Sequence, residues 1–383
     1  MPLPTPTDDA LAASHALQSL ISTAIVDAGG WLPFDRYMDL VLYAPGLGYY
    51  SGGSTKLGKD GDFTTAPEIS PLFGASLAQL AGRLLDPAAP HLLEFGAGTG
   101  RLAHDILSEC ARAGIVVDSY TIVELSGQLR ARQQDLLRDF RQVVWLDALP
   151  AAFNGVVFGN EVLDAMPVQL VEKHGEQWRE VGVVVDEQGR YGYDSREANA
   201  ALREQIALQI ADADALPDGY LTEVHATGCG FMHSLAAMLA AGRGAALLFD
   251  YGFPGHEYYH PQRDRGTLMC HYRHHAHDDP FYLPGLQDLT AHVDFTAMAR
   301  AALAGGAEVL GYTSQAQFLL AAGIAELLQR TDPADARVYL PQANALQKLV
   351  SPAEMGELFK VLAIGHGVAL PDAFERGDRT HRL

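Results

Sequence analysis

"LLEFGAGTGRLAHDIL", residues 92–107, joins a short apolar run to a helical pattern through three glycines, Gly96, Gly98 and Gly100. The flanking segments read as a β-strand and an α-helix, because Leu102 and Ile106 recur at helical spacing. Glycine lets the main chain adopt positive φ and lets a ligand approach the backbone closely. The stretch therefore predicts a β-to-α turn that binds a nucleotide-like ligand, although a tight turn without a ligand stays open.

The spacing of the glycines separates two classes of ligand. A dinucleotide fingerprint, G-x-G-x-x-G, would place its third glycine where this chain has Arg101. Glu94 also precedes the turn, and a carboxylate repels a pyrophosphate but attracts an ammonium or sulfonium group. The residues thus favour S-adenosyl-L-methionine (SAM) over NAD. The pattern E-x-G-x-G-x-G resembles the first motif of Rossmann-like methyltransferases.

Two further strands supply candidate ligands for a nucleoside. "DSYTIVELS", residues 118–126, predicts a buried strand that ends at Glu124, 24 residues after Gly100. An acid about 20 residues beyond the turn is placed to bind a ribose hydroxyl, although an exposed acid at a strand end is the alternative. "QVVWLDALP", residues 142–150, predicts a third strand. Trp145 and Asp147 at its end would hold an adenine, or Trp145 would pack in the core.

The fourth predicted strand lies in "AFNGVVFGNEVLDAMPVQLV", residues 152–171, and is followed by Asn160, Glu161 and Asp164. In open α/β sheets, ligands bind beyond the carboxyl ends of the strands, so these side chains should face the methyl donor. Two carboxylates there indicate a basic target. The alternative is that Asn160 or Asp164 only caps a short helix.

Composition narrows the class of protein. A chain of 383 residues predicts a catalytic domain with additions, and its formal net charge of −20 argues against nucleic acid as a partner. The three cysteines are far apart, which indicates a reducing compartment and no structural zinc. The N-terminal segment is acidic and no run is long and apolar enough to span a membrane, so we expect a cytoplasmic protein.

The chain is expected to divide into an N-terminal helical cap, residues 1–60, and a methyltransferase-like α/β domain, residues 61–383. Within the second part we expect a hairpin insertion at about 168–225 and a helical insertion at about 314–350. The helical insertion is either the face of a homodimer or a docking surface for a partner.

A histidine-rich segment, "CHYRHHAHDDP" at residues 270–280, suggests a metal site at first sight. Its spacing fits neither a zinc ribbon nor an H-E-x-x-H helix, so we expect no metal and a substrate-facing loop instead. Asp294, in "DLTAHVDF" at residues 288–295, either reaches a cleft or pins the turn.

Several motifs together resemble the MidA-like family of SAM-dependent methyltransferases over about residues 15–368. They are "GYY" (48–50), "GDFTTAPEIS" (61–70), "LLEFGAGTG" (92–100), "GNEVLDAMPV" (159–168), "FDYG" (249–252), "DLTAHVDF" (288–295) and "MGELFKVLAIG" (355–365). The family includes a mitochondrial complex I assembly factor that methylates an arginine. The resemblance implies a Rossmann-like sheet with helices on both faces and family-specific insertions. It also implies SAM as cofactor and, as acceptor, an accessible arginine of a protein such as a respiratory complex subunit.

Methylation of arginine needs acids, because the guanidinium stays protonated and must be held while it loses a proton. We expect Glu161 first, with Asp164 and Glu68, to serve as catalytic acids. The loop "GDFTTAPEIS" is expected to fold over the methyl donor, or else to be a structural Ω-loop. The predicted cofactor-binding residues are Asp62, Thr64, Thr65, Glu94, Gly96, Ala97, Gly98, Gly100, Glu124, Leu125, Asp147, Ala148, Asn160 and Glu161.

Two other functions fit the same residues. A small-molecule N- or O-methyltransferase would have a closed pocket lined by aromatic residues such as Tyr49, Tyr50 and Phe63. A respiratory complex assembly factor would bind SAM at a weakly active site. The glycine spacing argues against a NAD-dependent enzyme.

Overall fold

The computed structural model describes residues 3–52 and 64–383, which contain both helices and strands. The helices are α1 (Asp8–Asp27), α2 (Phe34–Tyr43), α3 (Ala66–Ile69), α4 (Pro71–Leu84), α5 (Arg101–Ala113), α6 (Gly127–Leu136), α7 (Ala200–Gln209), α8 (Ala226–Ala240), α9 (Gly255–Tyr258), α10 (Phe295–Ala304), α11 (Gln315–Ala321), α12 (Ile324–Leu328), α13 (Ala336–Val350) and α14 (Met355–Leu358). Short 3₁₀ helices span Ala213–Ala215, Asp372–Gly377 and Thr380–Arg382.

The strands of the described residues fall into three sheets. They are β1 (Leu32–Pro33), β2 (His91–Phe95), β3 (Ser119–Val123), β4 (Val143–Leu146), β5 (Asn154–Asn160), β6 (Gln169–His174), β7 (Gln177–Val185), β8 (Tyr191–Glu197), β9 (Leu221–Val224), β10 (Arg243–Phe253), β11 (Met269–Tyr272), β12 (His275–His277), β13 (Asp288–Thr290), β14 (Val293–Asp294), β15 (Glu308–Ser314) and β16 (Phe359–His366).

The chain folds into two compact units. The first unit consists of Met1–Phe63, Leu163–Gly230 and Phe253–Ala297, and the second of Thr64–Val162, Phe231–Gly252 and Met298–Leu383. These bounds differ from the boundary expected at residue 60, and the predicted domain division stays a prediction.

The second unit contains a mostly parallel sheet with the strand order β15-β16-β10-β5-β2-β3-β4. Five of these strands pair in parallel, in the order β10-β5-β2-β3-β4. Strand β16 is antiparallel to both β10 and β15. Helix α5 connects β2 to β3, and α6 connects β3 to β4. This is the α/β, Rossmann-like sheet that the sequence predicts.

The core of the second unit contains an apolar run at the centre of β5. Val156, Val157 and Phe158 of β5 are all fully buried, as expected for a parallel strand that is covered on both faces. On α5, Leu102 and Ile106 are buried at helical spacing, and the helix ends at Gly114, whose φ of 69° is left-handed.

The first unit is built around antiparallel sheets. Strands β1, β7, β6 and β9 pair in that order and β8 pairs with β7, while β12, β11 and β13 form a second sheet. Strands β6, β7 and β8 lie in the region predicted as a hairpin insertion. Leu17, Ile21 and Ile25 on one face of α1 are fully buried in the core of this unit.

The region 314–350 contains α11, α12 and α13, and its description as an insertion stays a prediction. Leu349 is the buried residue of α13, while Val338 and Leu340 are about half exposed. Its interpretation as a dimer face or a docking surface stays a prediction. In the described part of the chain, no helix combines the length and the apolar character needed to cross a bilayer.

Gly155 gives a test of the close approach between β2 and β5. Its φ is 143°, and a Cβ there would lie 2.0 Å from the carbonyl oxygen of His91. We expect Gly155→Ala to lower the free energy of unfolding by about 3 kcal/mol, since strain and overpacking both destabilise. Thermal unfolding would measure this loss. Gly192→Ala on β8, where nothing lies within 4 Å of an added Cβ, is the control. Equal unfolding midpoints for the two variants would contradict this packing.

Candidate active site

The glycine turn connects β2 to α5 with a left-handed backbone at each glycine. The φ values are 60° at Gly96, 52° at Gly98 and 86° at Gly100, in a region that side-chain-bearing residues rarely adopt. Gly100 is the N-cap of α5 and carries no side chain to cover the first N–H groups of the helix. The turn, with Ala97 inside it, therefore presents bare backbone at the carboxyl end of β2.

Glu94 is a buried acid directly before this turn, with 2% of its surface exposed. Burial is the main cause that raises its pKa to about 8; the hydrogen bond from Tyr120 opposes this rise, and the charge of Glu124 adds to it. The Tyr120 hydroxyl donates to Glu94 Oε2 at 2.6 Å. Because the carboxylate form is disfavoured here, a cationic group beside Glu94 would strongly favour its ionisation.

Glu124 lies after the end of β3 and is also buried, which raises the pKa of its carboxyl group. It accepts hydrogen bonds from the Ser126 N–H at 2.8 Å and from Gln133 Nε2 at 2.9 Å. The next residue, Leu125, is 81% exposed. A buried acceptor beside an exposed apolar side chain fits a ligand in which a hydroxyl-bearing sugar adjoins an apolar ring.

Asp147 and Ala148 follow β4 at the same edge of the sheet, and both are exposed. Arg130 donates a hydrogen bond to the Asp147 carboxylate and another to the Leu146 carbonyl oxygen, at 3.2 Å for the latter. Trp145 is half-buried against the core, and its Nε1 donates to Gln133 Oε1 at 2.9 Å. Trp145 thus packs on the core and faces the polar residues of the site as well.

Asn160 is the last residue of β5 and Glu161 follows it, next to the pairing of Phe95 of β2 with Gly159. Asn160 Nδ2 donates to Glu161 Oε1 at 3.0 Å, and the Glu161 N–H donates to the Phe249 carbonyl oxygen at 2.9 Å. Glu161 has a φ of 53°, a strained value for a residue with a side chain, and such strain clusters at functional sites.

Asn160 Oδ1 is buried and has no hydrogen-bond partner within the described chain, so it suits a ligand that donates hydrogen bonds. No helix lies between β5 and β6, a stretch that is described throughout. Helix capping therefore does not account for Asn160 or Asp164.

The segment before α4 reaches the glycine turn through Glu68 of α3. The Thr99 hydroxyl donates to Glu68 Oε1 at 2.5 Å, which links α3 to the turn. Thr65 is the N-cap of α3 and Thr64 is exposed. Asp62 and Phe63 lie outside the described residues. The catalytic role of Glu68 stays a prediction.

The remaining predicted residues belong to the first unit. Asp164 is buried, and its carbonyl oxygen accepts a hydrogen bond from the Ala291 N–H at 3.0 Å. Its catalytic role stays a prediction. Asp294 Oδ1 accepts from the N–H groups of Thr296 and Ala297, so this acid pins the start of α10.

Two other sequence features also fall in the first unit. Tyr49 is fully buried in the core, and the Tyr50 hydroxyl donates to Asp288 Oδ1 at 3.0 Å. The histidines of residues 271–277 lie on and between β11 and β12. Among residues 3–52 and 64–383, no group of three or more His, Cys, Asp or Glu is arranged to hold a metal ion.

Four residues that the sequence did not single out hold the predicted ones in place. Tyr120 contacts Glu94, Arg130 contacts Asp147, Thr99 contacts Glu68, and Gln133 contacts both Glu124 and the turn. Spacing alone did not identify them: Gln133 lies three residues after Arg130 on α6, which begins directly after Ser126, but Gln134 at four residues fits the same face of the helix.

The buried state of Glu94 predicts a pH-dependent stability. The carboxyl pKa is about 8 in the folded protein against the ordinary value of 4.5 for a glutamate exposed to water, so the folded state binds more protons between these values. The Glu94 contribution to the free energy of unfolding is therefore complete below pH ~4.5 and lost as pH rises through ~8. Replacing Glu94 by glutamine removes that loss.

The quantity of interest is the unfolding midpoint of Glu94→Gln minus that of wild type. We expect this difference to increase by roughly 3–6 °C as the pH is raised from 5 to 9. Thermal melts across this range measure the difference. The exposed Glu187 supplies the control variant Glu187→Gln, whose midpoint should follow the wild type. A difference between Glu94→Gln and wild type that stays constant with pH would show that Glu94 ionises normally in the fold.

Comparison with known proteins agrees with this geometry. A family described as S-adenosyl-L-methionine-dependent methyltransferases matches residues 72–313. The protein arginine methyltransferase NDUFAF7, mitochondrial, of Bos taurus is 30% identical over 88% of this chain and 81% of its own length. The protein of the same name from Homo sapiens is 29% identical over 93% of this chain and 84% of its own length.

A solved structure shows a ligand of the expected class in a relative. The crystal structure of a protein from Burkholderia thailandensis bound to S-adenosyl-homocysteine is 53% identical, covers 100% of both chains and has a TM-score of 0.93. S-adenosyl-homocysteine is what remains of SAM after the methyl group has left. From its family match and this relative, the chain belongs to the MidA-like family of SAM-dependent methyltransferases, and its cofactor is SAM.

Proposed function

We propose that this methyltransferase transfers the methyl group of SAM to an arginine side chain of a protein. The observation that carries the proposal is the position of Glu161, a carboxylate fixed by Asn160 on strained backbone at the end of β5. The relatives named protein arginine methyltransferase support the choice of arginine, at 29–30% identity.

When bound, SAM supplies a methyl group on a positively charged sulfur. Methyl transfer is a displacement, so the residues of the protein mainly align the acceptor and exclude water. Arginine is a weak nucleophile because its guanidinium stays protonated and delocalised. A carboxylate that binds the guanidinium localises its charge and can accept the proton released as the new bond forms.

Glu161 has the properties that this role needs. Its Oε1 accepts a hydrogen bond from Asn160 Nδ2, and its main-chain N–H donates to the Phe249 carbonyl oxygen. These two hydrogen bonds restrain both the side chain and the backbone of Glu161. Gly96 lies close by, since a Cβ added there would be 3.2 Å from the Val162 side chain, the residue after Glu161. The proposed acid thus adjoins the glycine turn within one unit.

The charge of the protein suits a basic acceptor. The formal net charge of −20 favours the approach of a segment rich in arginine or lysine. The family resemblance implies a respiratory complex subunit as the acceptor protein. Of the tyrosines that a closed aromatic pocket would use, Tyr49 is fully buried in the core, so this residue offers no surface to a small substrate.

The test compares Glu161→Gln with wild type. We expect the variant to bind SAM within about twofold of wild type and to lose at least 10²-fold in methyl transfer, as for removal of a catalytic acid or base. Labelled SAM and host lysate measure transfer, hydrolysis of the labelled protein identifies methylarginine, and calorimetry measures SAM binding. Glu187→Gln should methylate like wild type.

Other outcomes would replace the proposal. If Glu161→Gln methylates protein at the wild-type rate, Glu161 takes no part in the reaction. Label that appears only in small molecules would indicate a small-molecule N- or O-methyltransferase. A wild-type protein that binds SAM but labels nothing would indicate an assembly factor with a weakly active site.

A further inference from the structure

Gln133 is a buried polar side chain within an otherwise solvent-facing helix. It is the buried residue of α6, and none of its surface is exposed. Burying an amide costs free energy unless its donors and acceptor are all used. A helix of this kind would ordinarily place leucine or alanine at such a position, so the amide needs an explanation.

The hydrogen bonds of Gln133 supply that explanation. Nε2 donates to the Gly98 carbonyl oxygen at 3.0 Å and to Glu124 Oε2 at 2.9 Å, while Oε1 accepts from Trp145 Nε1 at 2.9 Å. The carbonyl and the carboxylate only accept, and the indole only donates, so the orientation of the amide is fixed by chemistry. One side chain thus connects the glycine turn with the residues that follow β3 and end β4.

Gln133 also packs directly under the turn. A Cβ added at Gly100 would lie 3.3 Å from Gln133 Cγ and 3.4 Å from its Cα. The backbone of the turn is therefore in contact with α6, and the hydrogen bond to Gly98 sets the direction of one peptide group. That peptide unit lies between the glycines that bring bare backbone to the ligand.

We propose that Gln133 is a positioning residue for SAM, which holds the glycine turn and the Glu124 carboxylate in the arrangement that binds the cofactor. It acts through Gly98 and Glu124 rather than by contact with the reacting atoms. The expected consequence of losing it is weaker binding of SAM with little change in the chemical step.

The electrostatics of Glu124 make this role measurable. Burial raises the pKa of Glu124, whereas the hydrogen bonds from Ser126 and Gln133 and the charge of Arg130 lower it. Glu94 on β2 is an acid whose pKa the charge of Glu124 raises, and Asp147 is engaged by Arg130. Without the Gln133 donor, Glu124 would stay protonated to higher pH and accept fewer hydrogen bonds from hydroxyl groups.

The first variant is Gln133→Met, which keeps the length of the side chain and removes its hydrogen bonds. Ser126 still binds Glu124, and half-buried Trp145 can reach water, so we expect the variant to fold. Gln134→Met is the control, because Gln134 is the exposed neighbour on the same helix. Calorimetry with SAM from pH 5 to pH 8.5 measures affinity, and steady-state kinetics separate kcat from the KM for SAM.

We expect Gln133→Met to weaken SAM binding about tenfold at pH 7, to raise KM correspondingly and to change kcat less than about threefold. SAM affinity should begin to weaken at a higher pH in the variant than in wild type as the solution is made more acidic. A folded variant that binds SAM with wild-type affinity and wild-type pH dependence would overturn the proposal. A loss confined to kcat would overturn it as well.

A second variant keeps the test decisive if Gln133→Met does not fold. Gln133→Glu keeps the shape and the acceptor for Trp145 but sets a second carboxyl group against Glu124. Its SAM affinity should fall as pH rises, because both carboxyl groups then ionise. This pH dependence is opposite in direction to the one expected for wild type. A pH dependence equal to that of wild type would show that Gln133 only fills space.

Discussion

Two buried carboxylates beside bare backbone are the constraint on which this site depends. Glu94 and Glu124 are both removed from water, and the cost of their charge raises the pKa of each. Each is partly stabilised by donors from its own unit, Tyr120 for the first and Ser126 for the second. A SAM molecule would bring a further cation and hydroxyl groups to this pair. A ligand with a pyrophosphate would add negative charge to acids that already resist ionisation.

The parallel sheet brings these groups to one edge. Phe95 pairs with Val123 and with Gly159, so the ends of β2, β3 and β5 are level. The polar residues that follow these strands therefore emerge side by side, although they are far apart in the chain. Helix α5 begins where the glycine turn ends and directs its first N–H groups to the same edge. The local choice of glycine and the register of the strands thus point to one site.

Sequence reasoning predicted the α/β sheet, the turn, the buried acid after β3 and the polar end of β5, because each has a local signature. Periodicity marks the strands and helices, and glycine marks positive φ. It missed the contacts that hold the site together. Gln133 sits on a helix whose sequence, "GQLRARQQDL", has glutamines at 128, 133 and 134, and nothing local distinguishes the buried one. The contact of Thr99 with Glu68 joins residues 31 apart, and only the fold reveals it.

The division of the chain into units also lay beyond local patterns. Residues 163–230 join the N-terminal segment through antiparallel pairing, such as that of Leu32 with Val183, and residues 253–297 belong to the same unit. Strand pairing over such distances depends on the whole fold rather than on the composition of either segment. Asp294, for which the sequence left two roles open, accepts hydrogen bonds from residues two and three positions ahead at the start of α10, which is a local contact.

Calorimetric titration of the full chain with SAM and, separately, with NAD tests most directly whether the buried acids select the cofactor. We predict saturable binding of SAM at one site and no binding heat from NAD, because buried acids beside the turn accept a cation and reject a pyrophosphate. Binding of NAD, or no binding of SAM by folded protein, would contradict it.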